Sequence, residues 1–344
     1  MVDEGSVEPP PDAADGASGG TQKTDGTNSL LAGLRLPVIS APMFIASGPD
    51  LVTAQCQAGI IGSFPTLNAR TGAQLDEWLA EIIASNTAFA EANPGEPLGS
   101  LAANLIVHRT NTRLEEDLAT VVKYHVPVVI TSLGAKEEVN QAVHSYGGLV
   151  LHDVIHNRFA HKAIDKGADG LIAVAAGAGG HAGTLSPFAL VREIRTWFSG
   201  FIALSGSIAH GRSILAARAL GADAAYIGSA FLSTPQARIA EGYRDMILSS
   251  EASDIVYSNL FTGVHGNYLR GSIEAAGLDP DNLPVSSPES MNFDKGNTAS
   301  GKQPKPWKDI WGAGQGIGVI KNSQTVDELV TRWENEYLQA LHAL

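Results

Sequence analysis

The chain has 344 residues, of which 44% are hydrophobic and 17% charged, so it can form a large globular core and does not resemble an unfolded chain. Its formal net charge of −13 at pH 7 argues against nucleic acid as a general partner. The single cysteine, Cys56, excludes an internal disulfide and a cysteine zinc site, which suits a reducing compartment such as the cytoplasm. No apolar run approaches the roughly 20 residues of a membrane span, so no membrane partner is expected.

A tail followed by alternating strands and helices is the organisation that the chain predicts. Residues 1–29 are rich in Gly, Asp, Ser, Thr and Pro, which indicates a disordered N-terminal tail. Eight short apolar runs then have the length and composition of buried strands. The predicted strands are Pro37–Ala41, Gly59–Gly62, Leu98–Ile106, Pro127–Ser132, Gly148–Asp153, Gly170–Ala175, Phe201–Leu204 and Ala222–Ile227.

Helical patterns fill the intervals between these strands. The first helix carries Leu51 and Cys56, and the later ones are Gln74–Ala90, Arg113–Lys123, Lys136–Ser145, Asn157–Lys166, Pro187–Ser199 and Ile214–Leu220. Strands that alternate with helices predict a parallel sheet, and eight is the number that closes an α/β barrel. We therefore predict a (β/α)8 TIM barrel with a C-terminal insertion and helical extension. The alternative is an open doubly wound sheet, which is disfavoured because no Gly-x-Gly-x-x-Gly follows the first strand.

Three segments follow from this pattern. The tail covers residues 1–29, the barrel is expected to span residues 30–248, and residues 249–344 are expected to form an irregular excursion and a C-terminal helix that packs on the barrel. The least regular part, Asp281–Lys308, holds several prolines, glycines and serines. Because long loops are usually functional or mobile, we expect it either to cover a pocket or to join the subunits of a homodimer.

One loop carries the clearest functional signal in the chain. The sixth strand runs into Gly177–Gly183, which is nearly all glycine and alanine around a single histidine, His181. Dense glycine lets backbone N–H groups approach a flat or anionic molecule closely. A neutral imidazole, with an ordinary pKa of about 6.5, could accept a proton there at physiological pH. The alternative is a histidine that caps a helix or bonds a backbone carbonyl.

Two more loops follow the seventh and eighth strands, where α/β barrels often bind phosphate. Ser205–Ser207 and Gly228–Ser229 offer backbone N–H and hydroxyl donors that suit the phosphate of a mononucleotide. The alternative is a pair of ordinary turns with capping serines. The same face of the barrel should also carry Met43, Asn104, Ser132, Asp153 and His181. No metal site is expected, because His152 and His156 lack a ligand spacing.

Taken together, these motifs resemble the nitronate monooxygenase (2-nitropropane dioxygenase) family. The resemblance runs from about Leu34 to the end of the chain. It is carried by Ala41–Met43, Asn104, Gly179–Gly183, Ser205–Ile208, Ile227–Ser229 and the turn Gly314–Gly316. The chain departs from the family pattern at Val174, where a glutamine is frequent, and at Ser207 and Ala230 in the two loops proposed for phosphate.

The resemblance implies a non-covalently bound FMN. Its phosphate would be held by Gly206, Ser207, Gly228 and Ser229, and its ring would lie near Ala41, Met43, Asn104, Gly179 and Gly180. His181 matches the family histidine that acts as the base on a neutral nitroalkane. By the same analogy, an alkyl nitronate and O2 are the substrates, and a carbonyl compound and nitrite are the products.

Two other functions remain open at this point. A related enoyl-thioester reductase shares the glycine–histidine loop and FMN but takes hydride from NAD(P)H. A flavin-binding protein without turnover is the other alternative, and the departures at Val174 and Ala230 motivate it. A relative of the inosine-monophosphate dehydrogenase type needs a cysteine nucleophile in a loop, and Cys56 lies far from any such loop.

Overall fold

Parallel strands close into a barrel in the computed structural model, which describes residues 30–286 and 306–344. The strands of the described residues are β1 (Val38–Ser40), β2 (Gly62–Pro65), β3 (Leu101–Ile106), β4 (Val128–Ser132), β5 (Leu149–Val154), β6 (Gly170–Val174), β7 (Gly180–His181), β8 (Phe201–Ser205), β9 (Ala224–Ile227), β10 (Ile255–Ser258) and β11 (Gly266–Leu269). Eight of them form one sheet in the order β1-β9-β8-β6-β5-β4-β3-β2. A bridge between Ile39 and Ile61 joins its two ends, with Ser40 N donating to Ile61 O at 2.8 Å.

Helices connect successive barrel strands, so the predicted TIM barrel is confirmed. The helices of the described residues are α1 (Pro49–Gln57), α2 (Gly72–Ala92), α3 (Leu114–Lys123), α4 (Glu137–His144), α5 (Asn157–Asp165), α6 (Pro187–Arg195), α7 (Gly211–Leu220), α8 (Ser229–Leu232), α9 (Glu241–Ser249), α10 (Arg270–Ala275) and α11 (Val326–His342), of which the last four follow the final barrel strand. Gly167 follows α5 with φ +92°, the left-handed conformation that ends many helices and favours glycine. No helix of the described residues is long and apolar enough to cross a membrane.

The second strand begins three residues later than the sequence predicts. The apolar run starts at Gly59, whereas β2 starts at Gly62. Ile60 N still bonds Gln55 O, because the chain is leaving α1 through Gly59 at φ +80°. A run of apolar residues indicates that the segment is buried but does not show where the strand begins. Here the buried residues start in the turn before the strand.

Side chains point alternately into and out of the barrel along each strand. The inward ones form an apolar interior with a polar layer at the carboxyl ends of the strands. On β5 the side chains of Leu149 and Leu151 pack with the interior cluster, whereas Val150 packs outward against the helices. The next inward position on β5 is Asp153. The same count on neighbouring strands makes Ser132 and Ser205 the last inward positions of β4 and β8, and it places Asn104 on the inward side of β3, two residues before that strand ends. Polar side chains therefore ring the carboxyl end of the barrel.

A hairpin of β10 and β11 covers part of that end. β11 pairs antiparallel with β7, the short strand inside the glycine loop, and the register places Gly266 opposite His181 and Asn267 opposite Gly180. Asn267 Nδ2 also donates to Ala178 O at 2.6 Å. Residues 252–275 are thus more regular than the sequence analysis expects, and they fix the conformation of the glycine loop.

The C-terminal helix α11 lies along the side of the barrel. Trp333 is fully buried, and its Nε1 donates to Ala209 O at 3.0 Å. Near the start of the described chain, Arg35 forms an ion pair with Glu334 of this helix, with Nη2 and Oε2 2.8 Å apart. The predicted tail, residues 1–29, and most of the predicted excursion, residues 287–305, lie outside the described residues.

Replacing Thr325 by alanine should destabilise the fold by about 1 kcal/mol, because this residue caps α11. Thr325 Oγ1 accepts from Glu328 N, and the Glu328 carboxylate accepts from Thr325 N at 2.8 Å. Urea unfolding measures the loss. Thr87→Ala is the matched control, since its exposed hydroxyl bonds only within α2. Equal losses in the two variants would contradict a capping role.

Candidate active site

The carboxyl end of the barrel brings together the loops that follow β6, β8 and β9. The glycine loop after β6 touches the other two so closely that side chains would not fit. A Cβ built on Gly177 would lie 2.1 Å from Ser207 Oγ, and one built on Gly179 would lie 2.8 Å from Ser229 Oγ. Gly206 has φ +141°, a conformation that L-residues with a side chain rarely adopt. Bare main chain therefore lines this part of the mouth.

The turn Gly314–Gly316 completes the same group of loops. Gly314 N donates to Ser229 Oγ at 2.8 Å, and Gln315 N donates to Gly177 O at 2.9 Å. Gln315 also lines a surface cleft together with Ser207. The turn belongs to the motifs that carry the family resemblance, and it packs here against the loops that hold Ser207 and Ser229.

Ala41 and Met43 border these loops at the end of β1. A Cβ built on Gly228 would lie 3.3 Å from Ala41 Cβ and 3.6 Å from the Met43 side chain. The predicted residues at the ends of β1, β6, β8 and β9 thus form one continuous surface. Asn104 lies on the other side of the mouth, because β3 is opposite β8 in the strand order.

A hydrogen-bonded chain of polar side chains, two of them buried and one part-buried, crosses that opposite wall. Asn104 Nδ2 donates to Ser132 Oγ at 2.8 Å, and Ser132 Oγ donates to Asp153 Oδ2 at 2.5 Å. The other carboxyl oxygen, Asp153 Oδ1, has no hydrogen-bond partner within the described chain. Burial raises the pKa of Asp153 to about 6, although the Ser132 bond opposes the shift. Burial, and then the nearby Asp153 charge, raise the pKa of Tyr226 well above its ordinary value.

His181 lies where the glycine loop meets the hairpin. Its Nε2 is 3.0 Å from Thr262 Oγ1, and the edge of its ring faces Trp307 with centroids 5.6 Å apart. Trp307 also approaches the glycine loop, since a Cβ built on Gly180 would lie 3.4 Å from its Cη2 atom. Burial lowers the pKa of His181 to about 4, so the imidazole is neutral at pH 7. A neutral imidazole at the mouth can accept a proton.

The other two histidines near the end of β5 have structural roles. His152 is buried, with Nδ1 2.6 Å from Thr131 Oγ1, and burial lowers its pKa to about 4. His156 caps α5 by accepting from Phe159 N. Across residues 30–286 and 306–344, no three His, Cys, Asp or Glu side chains come close enough to hold a metal ion.

Comparison with known proteins decides the family. The nitronate monooxygenase family model matches residues 28–335, which include the whole barrel and its hairpin. The chain belongs to the nitronate monooxygenase family. A nitronate monooxygenase of Paraburkholderia phytofirmans is 25% identical over 358 aligned residues, which cover 91% of this chain and 95% of the relative.

Two solved structures share the fold of this nitronate monooxygenase family member. A nitroalkane oxidase from Streptomyces ansochromogenes superposes with a TM-score of 0.76 at 20% identity and covers 92% of this chain and 99% of its own. FabK from Thermotoga maritima gives 0.72 at 20% identity, with 92% and 96% covered. At 20% identity the two structures support the barrel fold alone.

Family membership confirms the resemblance seen in the sequence and makes the chain an oxidoreductase of the nitronate-oxidising type. The family is one of flavin enzymes. In this family member, Thr262 is the contact of His181 that sequence reasoning missed. It lies 81 residues from His181 in the chain, and nothing in the local sequence indicates that the two meet.

Proposed function

We propose that this chain binds FMN at the carboxyl end of its barrel and oxidises alkyl nitronates with O2 to carbonyl compounds and nitrite. The observation that carries the proposal is the position of the His181 imidazole, which lies between the glycine loop and the hairpin with its Nε2 on Thr262. In this proposal residues 30–248 form the FMN-binding barrel. The described residues from 249 onward cover part of its mouth and pack on its side.

The residues present fit a flavin mononucleotide. Gly206, Ser207, Gly228 and Ser229 would hold the phosphate, because they provide main chain and hydroxyl groups without bulk at the ends of β8 and β9. Ala41, Met43, Asn104, Gly179 and Gly180 would border the ring. The unpartnered Asp153 Oδ1 supports the same fit, since the ring system of an oxidised flavin carries an imide N–H donor.

Bound FMN would supply an electron acceptor for the nitronate, with O2 as the final oxidant. The protein's own part begins one step earlier, with a neutral nitroalkane. His181 is neutral at pH 7 and can take the α-proton of that substrate. Trp307 and Tyr268 pack near the imidazole and restrict access of water to it. The nitronate anion and the imidazolium that result stabilise one another.

Purified protein should be yellow, should release FMN on denaturation, and should consume O2 and form nitrite when mixed with an alkyl nitronate. Anaerobic NADPH should leave its flavin absorbance unchanged. Rapid bleaching by NADPH would instead support the enoyl-thioester reductase, and yellow protein that is inert to both reagents would support flavin binding without turnover. A colourless preparation that FMN cannot reconstitute would contradict the proposed cofactor.

A further inference from the structure

The hydroxyl of Thr262 lies between the ring of His181 and a carbonyl of its own loop. Thr262 Oγ1 is 3.0 Å from His181 Nε2 and 3.0 Å from Val264 O. The hydroxyl of Tyr268 lies 3.5 Å from the same oxygen. Thr262 belongs to the loop that joins β10 to β11, and β11 pairs with the backbone of His181. One hairpin therefore fixes both the histidine backbone and the partner of its ring.

Hydrogen-bond chemistry selects one tautomer of this imidazole. A threonine hydroxyl has one hydrogen to donate, and a carbonyl oxygen can only accept. If Thr262 donates to Val264 O, then Nε2 of His181 must be the donor in its bond to Oγ1. In the other tautomer Thr262 would donate to Nε2 and its bond to Val264 O would be lost, leaving only the longer bond that Val264 N donates to Oγ1 at 3.4 Å. Both bonds form together only when His181 carries its hydrogen on Nε2, which leaves the lone pair on Nδ1.

We infer that Thr262 is a positioning residue that holds neutral His181 as the Nε2–H tautomer and so presents Nδ1 as the proton acceptor. The inference rests on the proposed function of His181 as the base. In that step the α-carbon–hydrogen bond of the nitroalkane breaks, its electron pair stays in the nitronate, and the proton forms a new N–H bond at Nδ1. The bond from Nε2–H to Thr262 then becomes charge-assisted and stronger.

A hydroxyl group can orient the His181 ring without favouring its protonated form. Among the described residues, no carboxylate forms an ion pair with His181, whereas His144 and His210 each have one. A carboxylate beside the ring would favour the imidazolium, which cannot act as a base. Burial keeps the pKa of His181 low, so the resting ring stays neutral while Thr262 sets its tautomer.

Thr262→Val removes the hydroxyl at nearly constant volume, and Thr262→Ser keeps it. For a neutral nitroalkane, kcat/KM should fall about ten- to a hundredfold in Thr262→Val, the loss expected for a hydrogen bond to a charged group. Thr262→Ser should recover most of the loss. With a preformed nitronate, which needs no proton removal, the loss in Thr262→Val should be much smaller than with the neutral nitroalkane. Equal losses in the two variants, or equal losses on the two substrates, would mean that Thr262 only supports the loop.

A second measurement reads the tautomer directly and needs no turnover. Long-range ¹H–¹⁵N spectra of ¹⁵N-histidine-labelled protein should show His181 protonated at Nε2 in the wild type, with the signal assigned by its loss in His181→Asn. In Thr262→Val we expect a mixture of tautomers. Wild-type protein with the hydrogen on Nδ1 would overturn the inference. If His181 shows these tautomers but the protein oxidises no nitronate, the positioning role of Thr262 stands and the proposed function is refuted.

Discussion

Replacing His181 by asparagine should lower kcat/KM for a neutral nitroalkane by about 10²- to 10⁴-fold, the range that a positioned general base contributes. Asparagine can still bond Thr262, so the hairpin should keep its place, but an amide cannot take the substrate proton at pH 7. Steady-state O2 consumption with the neutral nitroalkane measures the effect. The loss should appear mainly in the proton-removal step, which can be followed with a substrate deuterated at the α-carbon.

Two controls separate a base from a binding residue. A nitronate prepared in advance has already lost its proton, so His181→Asn should oxidise it far better than it oxidises the neutral compound. His265→Asn is the matched variant, because His265 is an exposed histidine of the same hairpin that stacks on Tyr257 at 5.0 Å. Its activity should be that of the wild type. Intact turnover of the neutral nitroalkane by His181→Asn would show that another group removes the proton.

The barrel could be predicted because its strands are buried on both faces. Runs such as Val128–Ile130 and Gly170–Val174 are apolar apart from glycine and are buried at every position, and they recur between helical patterns at regular intervals. The hairpin could not be predicted in the same way. β10 is largely part-exposed, and its partner β7 consists of Gly180 and His181, which carry no alternation to detect. Its pairing depends on tertiary contact between segments that are far apart in the chain.

The candidate site also has one part that the sequence predicts and another that depends on tertiary contacts. That Gly206 and Gly179 lie in closely packed loops at the mouth could be predicted, because glycine clusters directly follow the strands in the sequence. Positions that depend on side-chain contacts could not. Asp153 could be placed on the right face, but its unpartnered oxygen depends on where Ser132 and Asn104 point. Thr262 could not be found at all, since only the folded hairpin brings it to His181.

Replacing Gly206 by alanine should weaken FMN binding by about a hundredfold or more, which corresponds to losing one or two hydrogen bonds to a charged phosphate. Gly206 has φ +141°, and a Cβ there would lie 2.8 Å from the carbonyl oxygen of Ala176. Backbone cannot move aside as a flexible side chain can, so the loop that carries Ser207 must shift. Titration of apoprotein with FMN, followed by quenching of flavin fluorescence, measures the affinity.

Gly167→Ala is the matched control for backbone strain. Gly167 also has positive φ, +92°, but no atom lies within 4 Å of a Cβ built on it, and it precedes β6 at the opposite end of the barrel. Both variants should lose stability, by about 1–2 kcal/mol for the left-handed conformation alone. Only Gly206→Ala should lose affinity for FMN. If the two variants bind FMN equally well after similar losses of stability, the loop after β8 does not hold the phosphate, and the cofactor must be held elsewhere in the mouth.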